Sequence, residues 1–179
     1  MRTAWSRFAA AAVAASTGCV IPPSQSTIAA VATPDGVGAR VSAGAHASAL
    51  DNGDDVGVDL GAGWVAEQVD GRGTAHGTYA ALARRGPGRW WFGGRAEQYW
   101  NTTAGQPTQA VVARIAWRHH LAGVRAGTGD GRGALGVLGA IATATFLDLG
   151  ARQRDGGGAE AFAAFGLAVE LPALAGIAR

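Results

Sequence analysis

The chain has 179 residues, enough for one ordinary domain or one small barrel, and 29 Gly with 41 Ala leave 70 positions almost without a side chain, while only 16% are charged and 48% are hydrophobic. That composition is too apolar for a disordered chain and too Gly-rich for a helical bundle, since each interior Gly costs a helix roughly 1 kcal/mol; it also lacks the three-residue Gly period of collagen. The formal charge of +2 rests on Arg2 and Arg7, and beyond residue 18 there are 13 Arg against 13 Asp plus Glu, so a concentrated basic surface for nucleic acid is not expected.

Residues 1–18 read as an export signal, with Arg2 and Arg7 as its positive region and Phe8–Ala15 as a short apolar stretch. Eight residues are far fewer than the roughly 20 of a membrane-spanning helix. Ser16-Thr17-Gly18-Cys19 follows and resembles the lipobox of bacterial lipoproteins. The resemblance implies that Cys19 is acylated and becomes the new N-terminus; cleavage by signal peptidase I after Ala14 or Ser16 is the alternative. Cys19 is the one cysteine, which excludes an internal disulfide and a Cys-based metal site. Residues 19–36, with Pro22-Pro23 and polar neighbours, read as a tether.

From Val37 a period-two pattern dominates, broken by turn residues about every 12–20 positions. The runs are 37–50, 55–69, 74–85, 89–100, 108–127, 134–152 and 159–171, and residues 172–179 form a tail. In run 108–127 the apolar parity changes near Leu121, which requires a bulge or a tight turn at His119–Gly123. The turn gives eight strands; a single bent strand would leave seven, with Ser26–Thr33 available as the eighth. One face of each run is apolar, as in Leu60, Trp64, Trp90, Ile115, Trp117 and Phe165, and the other mixes Gly and Ala with sparse charges of both signs.

The strand lengths and the charge-poor second face point to an all-β, antiparallel up-and-down barrel of about eight strands over 37–171. This pattern resembles the small eight-stranded outer-membrane barrels of Gram-negative bacteria. The resemblance implies a closed meander in outer-membrane lipid and a non-enzymatic role in envelope integrity, adhesion or defence. In that setting Arg95, Glu97, Arg114, Arg118 and Glu170 face a narrow lumen as ion pairs, because buried charges require partners. Trp64, Trp90 and Trp117 face the membrane. The same alternation also fits a lipid-tethered soluble periplasmic barrel that binds a small apolar ligand in an apolar interior.

No catalytic constellation is expected: there is no nucleophile elbow and no Ser/His/Asp order. His119 and His120 point to opposite faces of a strand and cannot share a metal without a turn. The acidic loops at 51–55 and 129–133 lack the Glu of a calcium loop and read as hairpin turns. No metal or other cofactor is expected, and no specific protein or ligand partner is encoded in a motif.

Overall fold

The computed structural model describes the backbone at residues 18–21, 24–49, 58–69, 71, 73–100, 104–129, 133–171 and 173–178. Side chains are described at 24–46, 58–69, 71, 73–100, 104–119 and 142–171. The strands are β1 (Gly18–Ile21), β2 (Ser24–Thr33), β3 (Gly36–Ala49), β4 (Val58–Val69), β5 (Gly73–Arg85), β6 (Trp90–Trp100), β7 (Pro107–Gly129), β8 (Gly133–Arg154), β9 (Ala159–Leu171) and β10 (Ala173–Ala178). From β2 to β9 each strand pairs antiparallel with the next, and β9 pairs back onto β2. The result is a closed, eight-stranded, up-and-down barrel.

Two expected boundaries change. Ser24–Thr33, assigned to the tether, is the barrel's first strand and supplies its closing seam with β9. Its alternation (Ile28 outward, Thr27, Ala29 and Val31 inward) is faint because Ala occupies three positions, and the neighbouring prolines suggest a spacer. The turn expected at His119–Gly123 is instead a bulge between His120 and Ala122 inside the continuous strand β7. A bulge shifts parity by one residue just as a turn does, but without reversing the chain. Strand Ser24–Thr33 therefore makes the eighth. Of the export signal expected over 1–18, residues 1–17 lie outside the described residues and Gly18 opens β1; the turn expected at 51–55 also lies outside them.

Turn chemistry closes three hairpins whose connections are described throughout. Pro34-Asp35 joins β2 to β3, with Asp35 N donating to Thr33 Oγ1 at 3.3 Å. Gly86-Pro87-Gly88 joins β5 to β6, with Gly88 at φ 65°. Asp155–Gly158 joins β8 to β9, where three successive glycines take positive φ.

The register fixes the tilt. Starting at Ala47 on β3 and stepping across the ladders through Leu60, Leu82, Gly94, Ala113, Leu149, Ala163 and Ala32, the path returns to β3 at Val37, ten residues away. With a rise of about 3.3 Å per residue and about 4.8 Å between strands, that stagger inclines the strands by about 40° to the barrel axis. Strong coiling brings backbones close at inward-facing glycines. A Cβ on Gly166 would lie 2.2 Å from Ile28 O, and one on Gly63 would lie 2.4 Å from Gly44 Cα.

The barrel has a near end, where Ser24 enters and Leu171 leaves, and a far end with the β2–β3 and β8–β9 turns. On one side of the near end the strands continue. Distal β7 (122–129) pairs with distal β8 (134–141), β10 pairs with β8 residues 133–138, and β1 pairs with β10. The tail expected at 172–179 thus contains a strand. The β1–β10 register, Ile21 opposite Leu174, continues that of β2–β9, Ser24 opposite Leu171.

Candidate functional site in the barrel lumen

Inward positions carry the charges. At the near end, Arg118 of β7 reaches Asp59 of β4 at 3.0 Å and Glu170 of β9 at 2.7 Å. Gln25 Nε2 donates to Glu170 at 3.0 Å, and the Arg118 guanidinium lies 4.0 Å over the Trp91 ring. At mid-height Arg114 grips Asp148 with two bonds of 2.6 and 2.8 Å and lies 3.9 Å over Phe146. Arg95 stacks 4.0 Å over Tyr79 and donates to Ser42 Oγ at 3.2 Å, while Ser42 and Thr27 share a hydroxyl bond of 2.6 Å.

From Arg95 an alternating chain of charges runs to the far rim. Arg95 Nε meets Glu97 Oε1 at 2.5 Å, and Glu97 also pairs with Arg40. Arg40 meets Glu67 at 3.5 Å, Glu67 pairs with Arg152, and Arg152 meets Glu160 at 2.5 Å. Glu160 pairs with Arg154, which pairs with Asp35 on the rim. Tyr99 donates its hydroxyl to Glu97 at 2.8 Å, and Phe162 lies between Arg40 and Arg152. The chain alternates four guanidiniums with four carboxylates. Burial without such partners would be prohibitive for Arg95, Glu97, Arg40, Glu67, Arg152 and Glu160.

The sequence-selected residues fall into three separate contacts. Arg95 and Glu97 touch along β6; Arg118 and Glu170 meet across the lumen; Arg114 binds Asp148, which sequence reasoning did not select. Arg40, Asp59, Glu67, Arg152 and Glu160 were also missed. Their signal was parity: each stands on the small-residue side of its run, opposite Val41, Leu60, Trp64, Leu149 or Phe165.

The outer face is apolar. Ile28, Leu60, Leu82, Phe92, Val111, Leu149, Phe165 and Leu167 are all exposed, Val111 to 70%. Trp64 and Trp90 are exposed among them, and Trp64 stacks on His76 at 5.7 Å. Trp117 is half-buried against the edge of Trp90, with ring centroids 4.8 Å apart. His119 contacts Thr145 Oγ1 at 3.5 Å, and the side chain of His120 lies outside the described residues. Among the described residues no group of three or more His, Cys, Asp or Glu is placed to hold a metal ion. Compared with models of known protein families and with curated proteins, the chain matches none.

Proposed function

We propose that this protein is a non-enzymatic β-barrel embedded in the outer membrane of a Gram-negative envelope, where its role is structural or interactive. Acylation of Cys19, whose backbone pairs with Gly176 beside the near end, adds a second anchor. The observation that supports the reading is the placement of polarity: among the described residues eleven polar or charged ones are buried while seventeen large hydrophobic ones are exposed on the outer face. Exposed apolar surface of that continuity is foreign to soluble monomers, and it matches the outward band of a membrane barrel. Trp90 and Trp100 mark the two ends of β6 on this face. Ten residues of rise at the barrel's tilt separate them by about 25 Å along the axis, the height of such a band. The tethered soluble barrel requires an apolar chamber, whereas here buried guanidiniums and carboxylates run among the inward aromatics Tyr79, Trp91, Tyr99, Phe146 and Phe162.

Arg substitutions along β9 test the reading. Phe165 sits at the middle of the strand and Leu171 at its end, both outward. In lipid, Phe165→Arg should cost about 2–4 kcal/mol and Leu171→Arg about 0–1 kcal/mol, measured by reversible unfolding in vesicles. Lipid-borne quenchers should also reach Trp64 in the wild type. Equal, small effects at both positions, with fluorescence untouched by the quenchers, would refute membrane embedding.

A further inference from the structure

Outside the lumen, charge is concentrated at one place. Among the described residues, Arg84 carries the one guanidinium that a strand sets on the outer face, and no carboxylate stands there. Arg84 lies between outward Leu82 on its own strand and outward Phe92, its ladder partner on β6. The near-end turn that follows adds Arg85 and the exposed Arg89, so three arginines fall within residues 84–89. Arg85 Nη2 reaches Gly88 O at 3.5 Å. The turn is held on a fixed frame: Gly86 N donates to Trp90 O at 2.9 Å, Trp90 N to Pro87 O at 3.3 Å, and Arg118 N to Arg89 O at 2.9 Å.

The described carboxylates lie in the lumen or, as Asp35 and Asp155, in turns at the far end. Asp59 and Glu170, the two nearest this end, are inside and held by Arg118. Trp90, next to Arg89, is exposed with the edge of Trp117 against it, and an indole at the end of an apolar band sits at headgroup level. An Arg beside it lays its stem on the apolar wall and lifts its head to the same level. The anion abundant there is the lipid phosphate, which matches the guanidinium fork, and a headgroup of net negative charge gains most from a cluster of arginines.

We propose that the β5–β6 hairpin docks the phosphate headgroups of anionic phospholipid, with Arg84 and Arg89 as the donors and Trp90 in the interface beside them. The proposal rests on the reading of the outer face as membrane-embedded.

Tryptophan quenching tests it, with the full chain folded into phosphatidylcholine vesicles that hold a minor fraction of either phosphatidylglycerol or phosphatidylcholine brominated near the headgroup. In wild type both should quench, and brominated phosphatidylglycerol should associate more strongly by about fivefold, the worth of one arginine beside an anionic surface. Arg84→Gln with Arg89→Gln should remove the preference and leave quenching by phosphatidylcholine unchanged, whereas Arg84→Lys with Arg89→Lys, which keeps the charge, should retain most of it. Equal association of the two lipids with wild type overturns the site, whatever the variants do; it is the result expected if the Asp residues of 51–55, outside the described residues, neutralise the hairpin. An undiminished preference in the folded Gln variant overturns it too. So does a preference erased by inorganic phosphate but not by chloride at matched ionic strength, which assigns the hairpin to free phosphate. Absence of quenching by either lipid is a different failure, that of membrane embedding itself, and the proposal falls with it.

Discussion

Asp148 shows most clearly what one side chain does here. It is fully buried, and both its oxygens are taken by Arg114 on the adjoining strand. Replacing it with Ala strands the Arg114 guanidinium over Phe146, without its counter-ion and in poorly solvated surroundings. Loss of one partner of a buried pair costs about 3–5 kcal/mol, whereas replacing both partners with apolar residues is often neutral. Asp148→Ala should therefore lower unfolding stability by that amount, and adding Arg114→Met to Asp148→Leu should recover most of it. Unfolding in urea with the barrel in lipid or detergent measures both. The inward placement of Asp148 was legible from Leu147 and Leu149 on either side of it. Its partner was not. Pairing depends on register, and register is fixed by how eight strands close, which no single run contains.

The strands repeat the lesson. Runs bounded by Gly and Asp turns were visible because period two persists while the interior and exterior differ in chemistry. Strand β2 was hidden because Ala weakens the contrast between its faces, and β7 was divided because a parity change alone does not distinguish a bulge from a reversal. The seam between β2 and β9 depends on backbones lying close enough at Gly166 that a Cβ would overlap Ile28 O and Ala29. Gly166→Val should therefore hinder closure. The expected result is loss of the compact, heat-modifiable form on detergent gels, together with protease cleavage within 24–33. Gly94→Ala is the control, since its Cβ would meet nothing nearer than 3.7 Å.

For the molecule as a whole, an eight-stranded barrel is just wide enough for side chains to fill, and the chain of ion pairs from Arg95 to Asp35 occupies the far half. Purified protein in planar bilayers should thus show no porin-like conductance steps, while single-channel recording of Arg40→Ala, Arg152→Ala together should reveal small ones if those two guanidiniums are the obstruction. The near end has a different character. Distal β7, distal β8, β10 and β1 rise from four adjoining strand positions, half of the eight around the wall. A barrel with level rims looks alike from every compass bearing; this one has a heading. Among the described residues, β1 and distal β7 each lack a ladder partner on one side, so the raised half is bounded by two open borders facing away from each other. Among the described residues, the rim offers strand pairing on those two bearings.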